Sequence, residues 1–288
     1  MSLTTLNRVS YRDLALRSLD QLPPFSPVFN HLMASLAQED VSFAELSTVI
    51  ERDTVLAANV LRLVNSALYG RRGTVSSVRH ALSILGLTKL RNYVLSLSVS
   101  RLWARVRTAP SWSMIRFNQH SAASAVMADL LVQKVSCDYG EGAFAAGLLH
   151  DIGRLMIAVA LPEEHEKINT RYLGGGVSLE ECEMMLLEMT HADLGAAALN
   201  RWNIPTPIQK AIMGHHSPTP PTAGQNALSL VVASANELAD GLGYSIYAVE
   251  GERARPAAEV LDRLGIRNGV DHLLATFETE FGSLRNSL

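Results

Sequence analysis

Six positions in this 288-residue chain carry side chains able to hold a divalent cation and share one kind of setting: His120, His150, Asp151, His191, His215 and His216. Each lies in or at the end of a segment otherwise built largely from apolar and small residues, as in GAFAAGLLHDIGRLMIAVAL around His150 and Asp151. Imidazole nitrogen and carboxylate oxygen suit zinc, manganese, iron or cobalt, and several helices can converge such ligands on one interior point. Neighbouring helix positions diverge by roughly 100° about the axis, so His150 and Asp151 can serve two metals, or one metal and a bridging position. Carboxylates bridge metals well, and a metal pair can activate water for attack on phosphorus. The competing reading is structural. A lone histidine near an apolar helix face commonly hydrogen-bonds a carbonyl in the core, and a His-His pair before a loop can end a helix against its dipole. His31, His80, His165 and His272 take that reading or a solvated one, and for the other six both readings stand open.

The elements that must position these side chains are helical. Ser42 with Glu45 forms a capping-box pattern opening FAELSTVIER. Asp53 stands as the cap of TVLAANVLRLVNSALYG, where Leu56, Val60, Leu63, Val64 and Leu68 follow helical spacing and Gly70 sits where the helix should stop. Ser77 opens VRHALSIL, ended by Gly86. Thr88 opens KLRNYVLSLSVSRLW, which is apolar on two opposite sides and so should be buried. Thr108-Ala109-Pro110-Ser111 marks the candidate boundary between two lobes. Beyond it come FNQHSAASAVMADLLVQKV and then GAFAAGLLHDIGRLMIAVAL, read as one helix stopped by Pro162. SLEECEMMLLEM follows the Gly174–Gly176 break with Ser178 and Glu181 as a capping box, and Thr190 with Asp193 gives a weaker start signal. PIQKAIMGHH has Thr206 as cap and Pro207 at the first helical position, and ALSLVVASANELADGLG ends at Gly241 or Gly243. The spacing predicts an all-α fold with lobes at residues 1–110 and 111–245 and a helical extension at 246–288.

Composition agrees with a packed core. The chain is 48% hydrophobic and 18% charged, below the roughly 25% charge of ordinary soluble domains, which excludes a disordered chain. Cys137 and Cys182 are too few for a disulfide framework or a zinc ribbon. The N-terminal residues lack the apolar core of a signal peptide, and no run reaches the roughly 18 consecutive apolar residues of a membrane span, so a cytoplasmic setting without a membrane partner is expected. The net charge of −3 conceals an asymmetry: Thr54 to Ala128 contains ten Lys and Arg and no Asp or Glu. Those cations sit on amphipathic helices without a helix-turn-helix pattern or an aromatic platform. They read as solvated or neutralised by the acidic remainder, and nucleic acid is not an expected partner.

GLLHDIGRLMI resembles the central motif of the HD superfamily of metal-dependent phosphohydrolases. With LPPFSPVFNHLM and VIERDTVLAANVLRLVNSALYGRRGTVSSVRHALSILGLTKLRNYVLSLSV upstream, the chain resembles the HDOD (HD-related output domain) family of bacterial signalling proteins over about residues 20–245. The resemblance implies a two-lobed helical bundle of HDOD type with an HD-like core, serving as an output or interaction module, in a family where many members lack part of the metal set. Carried over residue by residue, His120 matches the first helix histidine and His150-Asp151 the signature pair. His191 matches the additional histidine of multi-metal HD enzymes, and His215-His216 their later pair. Ala235-Asn236 falls where active members read Ala-Asp, so Asn236 is a weak ligand, since a neutral amide adds no charge to a cation site. Asp240 lies one helical turn later. Arg154 stands where HD-GYP phosphodiesterases usually have lysine, and HHSPTPPTAGQ shows no GYP segment, which argues against cyclic-di-GMP hydrolysis. The resemblance therefore implies a regulatory module binding one or two Fe, Mn or Zn ions, with a signalling protein or a phosphate-containing ligand as partner and homodimerisation as a further expectation. Its alternative is a metal-dependent phosphohydrolase acting on a nucleotide or other phosphoester, in which Asp151 bridges metals and Arg154 orients phosphate.

Overall fold

The computed structural model describes residues 10–19, 25–36, 43–66, 74–102, 104, 106–222, 224–247 and 254–285. Ser42, Leu68, Gly70 and three of the basic residues, Arg71, Arg72 and Arg105, lie outside them. The described residues form helices with no named strand, as the spacing predicts. After α1 (Tyr11–Ser18), the first lobe is made of α2 (Pro27–Ser35), α3 (Phe43–Glu51), α4 (Thr54–Val64), α5 (Val78–Leu85) and α6 (Leu87–Leu102). Its start signals are used as read: Asp53 Oδ1 accepts the Val55 and Leu56 amides, each at 3.0 Å, and Ser77 Oγ accepts the His80 amide at 3.2 Å. Gly86 takes φ +78°, which reverses the chain so tightly that α6 starts at Leu87 rather than at a Thr88 cap. Buried Leu90, Val94 and Leu97 on one side of α6, and Leu95 and Val99 on the other, make it the buried helix expected. Lys89 pairs with Glu280 at 2.8 Å and Arg101 with Asp53 at 3.5 Å, so part of the basic stretch is neutralised by acids outside it.

The second lobe is organised around α7 (Met114–Val132), capped by Ser113 and packed along α8 (Ala143–Leu149) and α14 (Leu228–Gly241). A Cβ on Gly147 would stand 2.7 Å from the Ser124 carbonyl oxygen, so the α7–α8 approach requires glycine there. Here the structure corrects two readings and extends a third. The segment taken as one helix is two, α8 and α9 (Ile152–Ala160), because Asp151 leaves helical geometry with φ −100° and ψ 13° and turns the chain. Pro162 ends α9 by opening α10 (Pro162–Leu173), since a missing N–H costs nothing in a first turn. Pro205, not Thr206, occupies the cap position of α13 (Thr206–Met213), and no side chain caps that helix. The capping boxes of α11 (Leu179–Leu187, from Ser178) and α12 (His191–Arg201, from Thr190) both form with reciprocal bonds. The C-terminal residues add α15 (Ala257–Asp262) and α16 (Val270–Arg285), the latter packed on α7.

The apolar interior divides into two clusters. One runs from Phe25 through α4–α8, α13 and α14 to Leu284. The other joins Ala15 of α1 and Phe117 to α9, α10, α11 and α12. Three of the candidate ligands stand where the chain passes between them. His120 lies between Phe117 and Ala122, and His150-Asp151 between Leu149 and Ile152. Residues 140–160 are apolar enough by hydropathy to cross a membrane, yet 83% of that window is buried inside the fold, as core helices are.

Gly153 closes the seam. A Cβ there would land on the His191 carbonyl oxygen and lie 2.7 Å from the His191 carbonyl carbon, both backbone atoms that cannot rotate away. Helix propensity would favour alanine by about 1 kcal/mol, whereas overpacking a core costs about 1–3 kcal/mol or more. Gly153→Ala is therefore expected to destabilise the protein by about 2 kcal/mol or more in denaturant unfolding. Gly282→Ala on α16, where a Cβ meets nothing within 4 Å, should instead stabilise it by up to about 1 kcal/mol.

Candidate metal centre

Asp151 is fully buried at the start of α9 and makes no capping bond to its own helix. Its two oxygens face two histidine sets. Oδ1 lies 3.2 Å from His191 Nε2 and 3.6 Å from His215 Nε2. Oδ2 lies 3.3 Å from His120 Nε2 and 3.4 Å from His150 Nε2. The potential ligand atoms of Asp151, His191, His215 and His216, and separately those of His120, His150 and Asp151, lie within 4.8 Å of one another. The carboxylate is the member common to both groups.

Four imidazoles are held in one sense. Nδ1 of His120 donates to the Tyr244 carbonyl at 2.9 Å, that of His150 to the Gly147 carbonyl at 2.8 Å, and that of His215 to the Ile212 carbonyl at 2.6 Å. Nδ1 of His191 donates to the Glu183 carboxylate at 2.7 Å. With the outer nitrogen committed as donor, the inner Nε2 of each ring faces Asp151, and in the neutral form that a metal binds it presents its lone pair there. Two of these nitrogens crowd each other, His120 Nε2 being 3.1 Å from His150 Nε2, and the Nε2 of His216 comes within 2.9 Å of His191 Nε2. Both Asp151 oxygens and His215 Nε2 are buried without a hydrogen-bond partner. An inward-facing set of nitrogen donors around a buried carboxylate fits a divalent cation, or two sharing Asp151.

The charged groups at the centre are strongly perturbed. Burial would raise the Asp151 carboxyl, but Arg154 with His150 and His120 outweighs it and holds the group well below the usual carboxylate range. Arg154 Nη1 is 3.2 Å from Asp151 Oδ2, and its Nε donates to His191 Nε2 at 3.4 Å. Burial pushes His215 down to about 4. It also opposes protonation of His191, but Glu183 and Asp151 overcome it and lift that ring to about 9. His216 is pushed down by burial and by the neighbouring His215 and His191. Its side chain is 27% exposed and meets Glu180 at 3.1 Å, which places it at the rim.

All six residues singled out by sequence are thus brought together. Asn236 is on α14, half-buried, with its Oδ1 lacking a hydrogen-bond partner. Asp240 meets the cluster from outside, at 3.4 Å from His120 Nδ1. His165 is a core histidine, packed edge-on to Trp112 and bonded through Nε2 to the Tyr247 hydroxyl at 3.2 Å. Two supporting residues escaped the sequence reading. Glu183 accepts both His191 Nδ1–H and the His191 amide, the latter at 2.8 Å. Its position, four residues after Leu179 and four before Leu187, puts a carboxylate on the buried stripe of α11, which is the signal that could have found it. Tyr247, with Arg154 over its ring at 6.0 Å, carried no such periodicity.

This geometry belongs to an all-α, HD-like domain, and the comparisons agree. The HDOD domain profile matches residues 22–218, and the chain belongs to the HDOD domain family. A crystal structure of an HDOD domain protein of unknown function from Geobacter sulfurreducens is 24% identical, with 96% of each chain covered and a TM-score of 0.76. A candidate phosphohydrolase from Shewanella amazonensis SB2B is also 24% identical, covering 96% of this chain and 98% of its own, with a TM-score of 0.73. At these identities the likeness carries the fold. An uncharacterized protein of Treponema pallidum (strain Nichols) is 24% identical over 211 residues, a match spanning 69% of this chain and 38% of that protein.

Removing Glu183 leaves two buried donors of His191 without a partner, at about 1–3 kcal/mol each. In chelator-treated protein, Glu183→Ala is expected to cost about 3 kcal/mol of unfolding free energy. Glu180→Ala at the rim should cost under about 1 kcal/mol.

Proposed function

We propose that this chain is a bacterial, cytoplasmic signal-transduction output module that holds one or two divalent transition-metal ions, Fe, Mn or Zn, and acts by binding a signalling protein or a phosphate-containing ligand. One observation carries the metal: four histidines whose Nδ1 atoms are tied to outer acceptors, turning four Nε2 atoms onto one buried carboxylate. His120, His150 and Asp151 would hold one ion, and Asp151, His191, His215 and His216 the other. Asn236 supports a binding role over a catalytic one, because an amide on α14 supplies no charge to a cation. Asp240 does not replace it, since its nearest contact is with the outer nitrogen of His120.

The second reading, a metal-dependent phosphohydrolase, is favoured by Arg154. Its side chain is 12% exposed and stands 3.2 Å from Asp151, so a guanidinium borders the centre where a phosphoryl oxygen would be met. Bound cations would supply Lewis-acid polarisation and lower the pKa of water. Arg154 would orient the phosphate and Asp151 would set the spacing of the two ligand groups.

Purified protein is expected to contain Fe, Mn or Zn by mass spectrometry, and Asp151→Ala to lose it while keeping its helical circular dichroism. Glu183→Ala should weaken metal binding by about 10–100-fold, because the outer partner of a histidine ligand is lost. A screen against phosphomonoesters, nucleotides and cyclic dinucleotides decides between the readings. Metal-dependent turnover abolished by Asp151→Ala would establish the enzyme and sink the binding-only reading. Turnover seen only in Asn236→Asp would leave the native chain a binding module.

A further inference from the structure

A cavity of about 550 Å3 opens where α4 and α6 of the first lobe meet α7, α8 and α16, and none of the metal-centre residues lines it. That volume lies within the range that accepts a drug-sized molecule. Its walls are apolar at Leu63, Val126 and Phe144, and its polar lining is weighted toward acceptors, although Lys89, Tyr93 and His272 also line it; the Tyr93 hydroxyl donates to the Asn59 carbonyl at 3.2 Å. On α16, the hydroxyls of Thr276, Thr279 and Ser283 each donate to the carbonyl one turn back, at 2.8, 3.0 and 3.0 Å, so they have only lone pairs left to offer. Lys89 is committed to Glu280 at 2.8 Å. Asn92 is 6% exposed, and its Oδ1 is buried with no hydrogen-bond partner. Beside it Asp129 accepts from Gln133 Nε2 at 3.2 Å and from the Asn92 side chain. Burial, with Glu280 nearby, pushes the Asp129 carboxyl up despite those bonds. Arg91, whose charge Asp129 also feels, does not line the cavity.

A buried acceptor without a donor is costly, and Asn92 Oδ1 is one; the half-buried Asp129 beside it has donors already but adds negative charge that favours a cation. We propose that this cavity binds a small organic amine, whose N–H groups satisfy Asn92 Oδ1 and the Asp129 carboxylate while an aromatic or aliphatic body fills the space against Leu63, Val126 and Phe144. Such a ligand touches both lobes and α16 at once, so its binding tightens the seam between them. The inference rests on the cavity alone and stands whether or not the metal centre is loaded.

The full chain would be titrated with benzylamine and tryptamine, and with phenylacetate and indole-3-propionate as acids of matching bodies, followed by ligand-observed saturation-transfer NMR. The amines are expected to bind saturably at millimolar or lower concentration and to raise Tm, and the acids to do neither. Asn92→Leu and Asp129→Asn should each weaken the amines by about tenfold or more without altering metal content. If Asn92→Leu does not fold, Thr276→Val removes a lone pair from the α16 wall and should also weaken the amines. Absence of amine binding at millimolar concentration, equal binding of amines and acids, or amine binding unchanged in the folded variants would overturn the proposal.

Discussion

A fully buried carboxylate governs this fold. Asp151 sits between two apolar clusters, and an uncompensated charge at such a position costs several kcal/mol. Everything that meets there offsets it: Arg154 one turn along the same helix, and imidazoles from α7, the α8–α9 turn, α12 and the end of α13. Because these groups come from elements belonging to different clusters, the electrostatic demand of one residue fixes how the clusters dock. The backbone is shaped to the same end. The chain breaks between α8 and α9 at the residue that must leave the helix to point inward, and Gly153 lets α12 come close enough to deliver His191.

Around that point the support is layered outward. Backbone carbonyls of Tyr244, Gly147 and Ile212 orient three rings, and a buried carboxylate, Glu183, orients the fourth. A carbonyl fixes a tautomer without adding formal charge, whereas Glu183 adds charge that raises the basicity of His191. The two ligand groups are therefore unequal: the one containing His191 and His216 is braced by Glu183 and Glu180, while among the described residues the other has Asp240 across His120. Two ions bound here would differ in affinity for that reason.

Much of this was legible in the sequence, and the reasons are local. Capping residues such as Asp53, Ser178 and Thr190 act within three residues of themselves, so their helices start where the chain says. The six candidate ligands stood out because imidazole and carboxylate are rare among long apolar helical stretches. The illegible parts depend on contacts distant in sequence. No periodicity separates a continuous helix 143–160 from two helices broken at Asp151, since what breaks it is the pull of groups up to 64 residues away. The opening of α10 at Pro162 was hidden by proline's double meaning as terminator and first residue. The gap between the lobes at Asn92 and Asp129 is a property of helix packing, which single residues do not announce.

The segment 140–160 has a consequence for biosynthesis. Its hydropathy is that of a membrane span, and a nascent chain presents it before α10, α12, α13 and α14, a large part of its cover, exist. His150 and Asp151 stand at its midpoint, with Arg154 one turn on. Charged side chains near the centre of an inserting helix cost roughly 3 kcal/mol each. The residues that gather around the centre of the folded protein thus also mark the segment, while it is still uncovered, as one to be left in water.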